Sequence, residues 1–73
     1  MIKVYSKPSC VQCMATQKEL ERKGIEFEYI DITKDEIANA TVVGLGYMSV
    51  PVVIDDNGNH WSGFRPDKIA GLK

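Results

Sequence analysis

A chain of 73 residues, 44% hydrophobic and 26% charged, has the composition of one small globular domain spanning residues 1–73. Its formal net charge of −1 argues against electrostatic capture of nucleic acid or of an anionic membrane surface. No apolar run approaches the roughly 20 residues of a membrane span, and a disordered chain would carry fewer aliphatic residues and a larger charge imbalance.

Ile2–Ser6 alternates and is rich in β-branched residues, which predicts a first strand. Pro8 breaks it, and Ser9 with Gln12 has the spacing of a capping box that opens a helix over 11–23. Gly24 supplies its stop. Within that helix Cys13, Gln17 and Leu20 share one stripe, with Thr16 beside them. Residues 25–32 alternate apolar with acidic side chains and predict a second strand. Thr33 and Glu36 form another capping-box pair, opening a helix expected to run to about Leu45. Pro51 is expected to start a strand over 51–54. Asn57-Gly58 signals a hairpin turn, and residues 60–62 form the return strand, with His60 on its surface. Pro66 fits the first turn of a final helix that turns Ile69 and Leu72 inward. The order β-α-β-α-β-β-α, with a right-handed crossover in its first βαβ unit, gives a mixed sheet with helices on its faces.

Cys10 and Cys13 are the only cysteines. They could form a disulfide, supply half of a metal site, or be two small buried residues. The N-terminus turns polar after five residues and lacks the charged-then-apolar pattern of a signal peptide, so a cytoplasmic location is expected. Structural disulfides are rare there. A zinc site needs two such cysteine pairs, or one pair with two histidines, and the chain has one histidine. Cys10, in contrast, stands where the first strand meets the first helix. The partial positive charge and free N–H groups of a helix N-terminus favour a thiolate, and Lys7 adds a cation nearby. Cys10 is therefore the expected nucleophile, and Cys13, one turn inward, the resolving thiol.

The stretches Ser6-Lys7-Pro8-Ser9-Cys10-Val11-Gln12-Cys13, Val50-Pro51-Val52-Val53 and Trp61-Ser62-Gly63-Phe64-Arg65-Pro66-Asp67 together resemble the NrdH-redoxins, a glutaredoxin-like branch of the thioredoxin superfamily. The resemblance covers nearly the whole chain. It implies an α/β thioredoxin/glutaredoxin-like fold with a four-stranded mixed sheet and helices on both faces. It implies a cis Val50–Pro51 bond beside the cysteines, leaving the preceding backbone free to pair with a partner peptide. It further implies a redox-active Cys10–Cys13 disulfide with no bound cofactor, in a monomer. The partners it implies are class Ib ribonucleotide reductase, as acceptor, and NADPH-dependent thioredoxin reductase, as donor. Val50, Pro51, Trp61, Ser62, Gly63, Phe64 and Arg65 then become the candidate partner-binding residues, with core packing the competing role for Trp61 and Phe64.

Two other functions compete. A glutathione-dependent glutaredoxin usually carries Gly-Gly and an acidic pair after the hairpin, where this chain has the bulkier Phe64-Arg65-Pro66 and one acid, Asp67. A metal or iron–sulfur module could use Cys10 and Cys13 across two chains. One departure from thioredoxins is chemical. The first strand has no acid to take the proton of Cys13, which must then pass to water, a polar neighbour or the partner.

Overall fold

The computed structural model describes residues 1–72. In chain order these form β1 (Ile2–Ser6), α1 (Val11–Arg22), β2 (Phe27–Asp31), α2 (Glu36–Gly44), β3 (Val52–Ile54), β4 (His60–Ser62) and α3 (Pro66–Ala70). The strands lie in the order β2-β1-β3-β4. β1 and β2 are parallel, with Val4 opposite Tyr29; β1 and β3 are antiparallel, with Val4 opposite Val53; β3 and β4 are antiparallel, with Val53 opposite Trp61.

Side chains of a strand point alternately to opposite faces, and each face of this sheet has its own core. Ile2 and Val4 join Val53 and Trp61 beneath Leu20 of α1 and Ile69 of α3. On the opposite face Tyr5 and Val52 pack against Ala38 and Val42 of α2. This is the thioredoxin/glutaredoxin fold, with helices on both faces as the sequence implied. No helix among the described residues is long and apolar enough to cross a membrane.

The element boundaries differ from expectation where a side chain has a better use. Ser9 does not cap α1: it sits at φ +63°, and Cys10 is the cap, its sulfur accepting the Cys13 N–H. Thr33 does not cap α2. Its hydroxyl and amide both donate to Asp31 Oδ1, at 2.6 and 2.8 Å, and Asp35 caps instead by accepting the Ala38 N–H at 3.0 Å. α1 buries Thr16 rather than Gln17, alongside Cys13 and Leu20. The β-branched run Thr41-Val42-Val43 stays helical because Val42 is buried against the sheet. β2 is shorter than residues 25–32, since the Ile25 amide closes the end of α1 on the Leu20 carbonyl at 3.0 Å. Pro51 precedes β3 instead of starting it.

Candidate active site

The redox centre stands at the carboxyl end of β1, on the turn Lys7-Pro8-Ser9 that leads into α1. Cys10 and Cys13 are joined as a disulfide with Cα atoms 5.2 Å apart. Cys10 is half-buried, whereas Cys13 is 0% exposed. The sulfur of Cys10 is also the N-cap of α1, accepting the Cys13 N–H at 3.1 Å. A helix-capping acceptor gains from negative charge, through the charge-assisted hydrogen bond and the helix dipole. The geometry therefore favours a thiolate at Cys10 once the disulfide is reduced. The Val50 carbonyl oxygen, 3.8 Å from the same sulfur, works the other way, because it can pair with a thiol S–H but not with an anion.

The Val50–Pro51 bond is cis. Three successive residues, the last of β4 and the two that follow it, bind this region together. The Ser62 hydroxyl donates to the Ser49 carbonyl at 3.2 Å, the Gly63 amide to the Pro51 carbonyl at 2.8 Å, and the Phe64 amide to Gln12 Oε1 at 3.3 Å. Gly63 has φ +87°, a left-handed conformation that side chains resist. The loop after β4 is thus bonded to the proline loop and to the segment between the cysteines. Arg65 turns onto Asp67 in a two-pronged pair at 3.2 and 3.0 Å. That pair holds the Asp67 carboxyl below the usual carboxylate range.

Of the residues expected to meet a partner, Pro51 and Trp61 are interior: Pro51 is fully buried and Trp61 belongs to the core under α1 and α3. For Trp61 this is the packing role that competed with partner contact. Ser62 and Gly63 use their polar groups internally, while Phe64 stays 37% exposed. Gln12 and Ser49 are site residues that the sequence reading did not place there. Gln12 was visible as the polar residue between the cysteines; nothing in the sequence singled out Ser49. His60 lies on the surface, as expected, with Nδ1 2.7 Å from Tyr47 Oη, and so is engaged away from sulfur chemistry. No group of three or more metal-ligating side chains exists among the described residues.

A groove beside Cys10 is lined by Lys7, Met14, Tyr29 and Asp31. Donation from the Thr33 hydroxyl and then its amide keeps the Asp31 carboxyl below the usual range, so Asp31 is an anion at neutral pH. Lys7 and Asp31 thus act on Cys10 with opposite sign. In the reduced protein, Lys7→Gln is expected to raise the midpoint of the pH profile for Cys10 alkylation and Asp31→Asn to lower it, each by a few tenths of a unit for exposed, screened charges. Midpoints that move the other way would remove both residues from the thiolate's electrostatics.

A thioredoxin-type sheet with a disulfide at the mouth of its first helix, one sulfur reachable and one sealed, defines a thiol–disulfide oxidoreductase. The glutaredoxin family model matches residues 2–61. The glutaredoxin-like protein NrdH of Escherichia coli K12 is 40% identical over 71 residues, covering 97% of this chain and 86% of the relative. NrdH of Lactococcus lactis IL1403 is 36% identical over 72 residues, covering 99% of both. Among solved structures, the Escherichia coli NrdH-redoxin superposes with a TM-score of 0.93 at 39% identity, covering 99% of this chain and 93% of that one. A glutaredoxin from Archaeoglobus fulgidus superposes with a TM-score of 0.79 at 30% identity, covering 97% and 83%. The chain belongs to the glutaredoxin family, in its NrdH-like branch.

Proposed function

We propose that the protein is a cytoplasmic, monomeric electron carrier that reduces the disulfide of class Ib ribonucleotide reductase and is itself re-reduced by NADPH-dependent thioredoxin reductase. In the forward step the Cys10 thiolate attacks the target disulfide, one target sulfur leaves as a thiolate that takes a proton from solvent, and a mixed disulfide remains. Cys13 then attacks Cys10, releasing the second target thiol and leaving the Cys10–Cys13 disulfide. Two electrons from one NADPH, passed through the reductase, restore the dithiol. No other cofactor takes part.

The observation that carries this reading is the loop Ser62–Phe64, bonded to Ser49, Pro51 and Gln12. It fills with internal contacts the side of the site where a glutathione-dependent relative needs room. Val11 and Met14 on α1, Met48 in the segment before Val50, and Phe64 leave exposed apolar side chains on the segments that adjoin the site, a surface suited to a protein partner. Two further facts support the reading. The relatives NrdH of Escherichia coli and Lactococcus lactis cover nearly the full chain, and the Escherichia coli NrdH-redoxin is described as having a thioredoxin-like activity profile.

The test is NADPH consumption with a disulfide substrate. Turnover is expected with thioredoxin reductase, and near-background rates with glutathione and glutathione reductase. The reverse pattern would replace this reading with that of a glutathione-dependent glutaredoxin. Stoichiometric metal in freshly purified protein, with thiols closed to labelling, would replace it with a metal-binding module.

A further inference from the structure

β4 forms one edge of the sheet, and alternation along it turns Trp61 toward α1 and α3. His60, opposite Ile54 in the ladder, stands on the face that carries α2. There it meets Tyr47, in the segment that joins α2 to the cis proline. Tyr47 Oη lies 2.7 Å from His60 Nδ1, and the two rings pack edge to face with centroids 5.5 Å apart. The Tyr47 ring also packs on the core beneath α2, and its amide donates to the Val42 carbonyl at 3.2 Å. The residues that follow are loosely packed. Met48 is 100% exposed, and a cavity of about 110 Å³ lies among residues 47–50, Ile32, Val42 and Val43. Packing alone therefore does not fix this segment, which ends at the Val50 carbonyl, 3.8 Å from the Cys10 sulfur.

We infer that Tyr47 and His60 are positioning residues: their pair ties the segment before the cis proline to the edge strand, and so holds the Val50 carbonyl beside the Cys10 sulfur and the Val50 main chain in line for a partner's peptide. The bond is open to both protonation states of the histidine. Neutral His60 accepts the Tyr47 O–H at Nδ1, and charged His60 donates from Nδ1 to the phenol oxygen. The pair thus persists across the pH range in which the Cys10 thiol is titrated. The inference concerns exchange with any peptide disulfide and does not depend on which proteins supply or receive the electrons.

Three substitutions isolate the bond. Tyr47→Phe keeps the ring and loses the hydroxyl. His60→Val keeps a strand-forming side chain and loses the acceptor. His60→Asn keeps an acceptor at the same distance along the side chain and serves as the conservative rescue. In the reduced protein, Tyr47→Phe and His60→Val should each lower the midpoint of the pH profile for Cys10 alkylation by a few tenths of a unit, because a Val50 carbonyl that drifts from the sulfur no longer favours the thiol. Exchange with insulin disulfides, which draws on the Val50 main chain, should slow by about two- to tenfold, the worth of one net hydrogen bond. Exchange with the small disulfide dithiobis-nitrobenzoate, compared at equal thiolate fraction, should keep the wild-type rate. In each exchange the Cys10 thiolate displaces one sulfur of the disulfide as a thiolate, and Cys13 then displaces the other.

The double variant should match either single one, since both remove the same bond, and His60→Asn should behave as the wild type. A midpoint and an insulin rate both unchanged in Tyr47→Phe would overturn the inference. So would a raised midpoint, equal slowing with both disulfides, or a defect in His60→Asn as large as that in His60→Val. Failure of the wild-type protein with thioredoxin reductase would overturn the proposed function and leave these exchange rates untouched.

Discussion

Cys13→Ser is expected to hold the protein on its target as a covalent mixed disulfide, whereas Cys10→Ser loses both trapping and turnover. The asymmetry follows from burial. Cys10 is half-buried at the mouth of α1, while Cys13 is 0% exposed and one helical turn inward, so only the first sulfur can meet a partner's disulfide in line. Neither substitution should unfold the chain. A serine at position 10 still offers an oxygen to the N–H of residue 13, and serine is a favoured N-cap. A hydroxyl at position 13 can donate to a carbonyl of the preceding turn, as Thr16 does to Gln12 at 2.9 Å. The measurement is a non-reducing gel after mixing each variant with the oxidised target, followed by mass spectrometry of the adduct. Trapping by Cys10→Ser through its remaining Cys13 would reverse the two roles.

The capping arrangement also explains how so short a chain carries a nucleophile. One atom, the Cys10 sulfur, ends the helix and carries out the chemistry. Its hydrogen bond from the Cys13 N–H stabilises the helix start in the oxidised protein, and the same bond strengthens when reduction leaves a thiolate there. A separate capping residue at position 9 would have started the helix one residue earlier, accepting the N–H of residue 11 or 12, and the sulfur would no longer stand at the cap.

The pattern of elements was legible because the local signals agree with the packing. Alternation in Ile2–Ser6, the Asn57-Gly58 turn and Pro66 at a helix start each have one ready structural use, and each is found where expected. The caps were misread because capping patterns rank serine and threonine ahead of cysteine, and because Asp31 draws the Thr33 hydroxyl and amide away. The two redox cysteines were legible from spacing and position together. The stitching of residues 62–64 was not. Its bonds run from Ser62 to Ser49, from Gly63 to Pro51 and from Phe64 to Gln12, and four of those six groups are backbone carbonyls or amides. Hydrogen bonds between main-chain groups far apart in sequence leave little mark on residue identity. Only Gly63, at φ +87°, records the loop's shape in its side chain, by having none.

Trp61→Ala is expected to destabilise the fold by about 3–5 kcal/mol, the range for emptying a large aromatic site. The whole stability of a chain this size is about 4–11 kcal/mol at the usual value per residue. Trp61 is 6% exposed, packed with Ile2, Val4, Leu20, Val53 and Ile69, and it lies on β4, a strand of 3 residues at the sheet edge. Removing the indole takes away the side chain that holds this short strand to the core. Because Ser62, Gly63 and Phe64 follow directly, the site should loosen together with the sheet edge. Trp61→Phe separates volume from polarity. The indole Nε1 is buried with no hydrogen-bond partner among the described residues, so losing its N–H breaks no bond, and the smaller ring should cost less than about 1.5 kcal/mol. Urea unfolding followed by far-ultraviolet circular dichroism gives both numbers from the shift in midpoint at constant slope. Near-equal midpoints for Trp61→Ala and the wild type would mean that the core under α1 and α3 closes without the indole, and that β4 is held by its ladder to β3 alone.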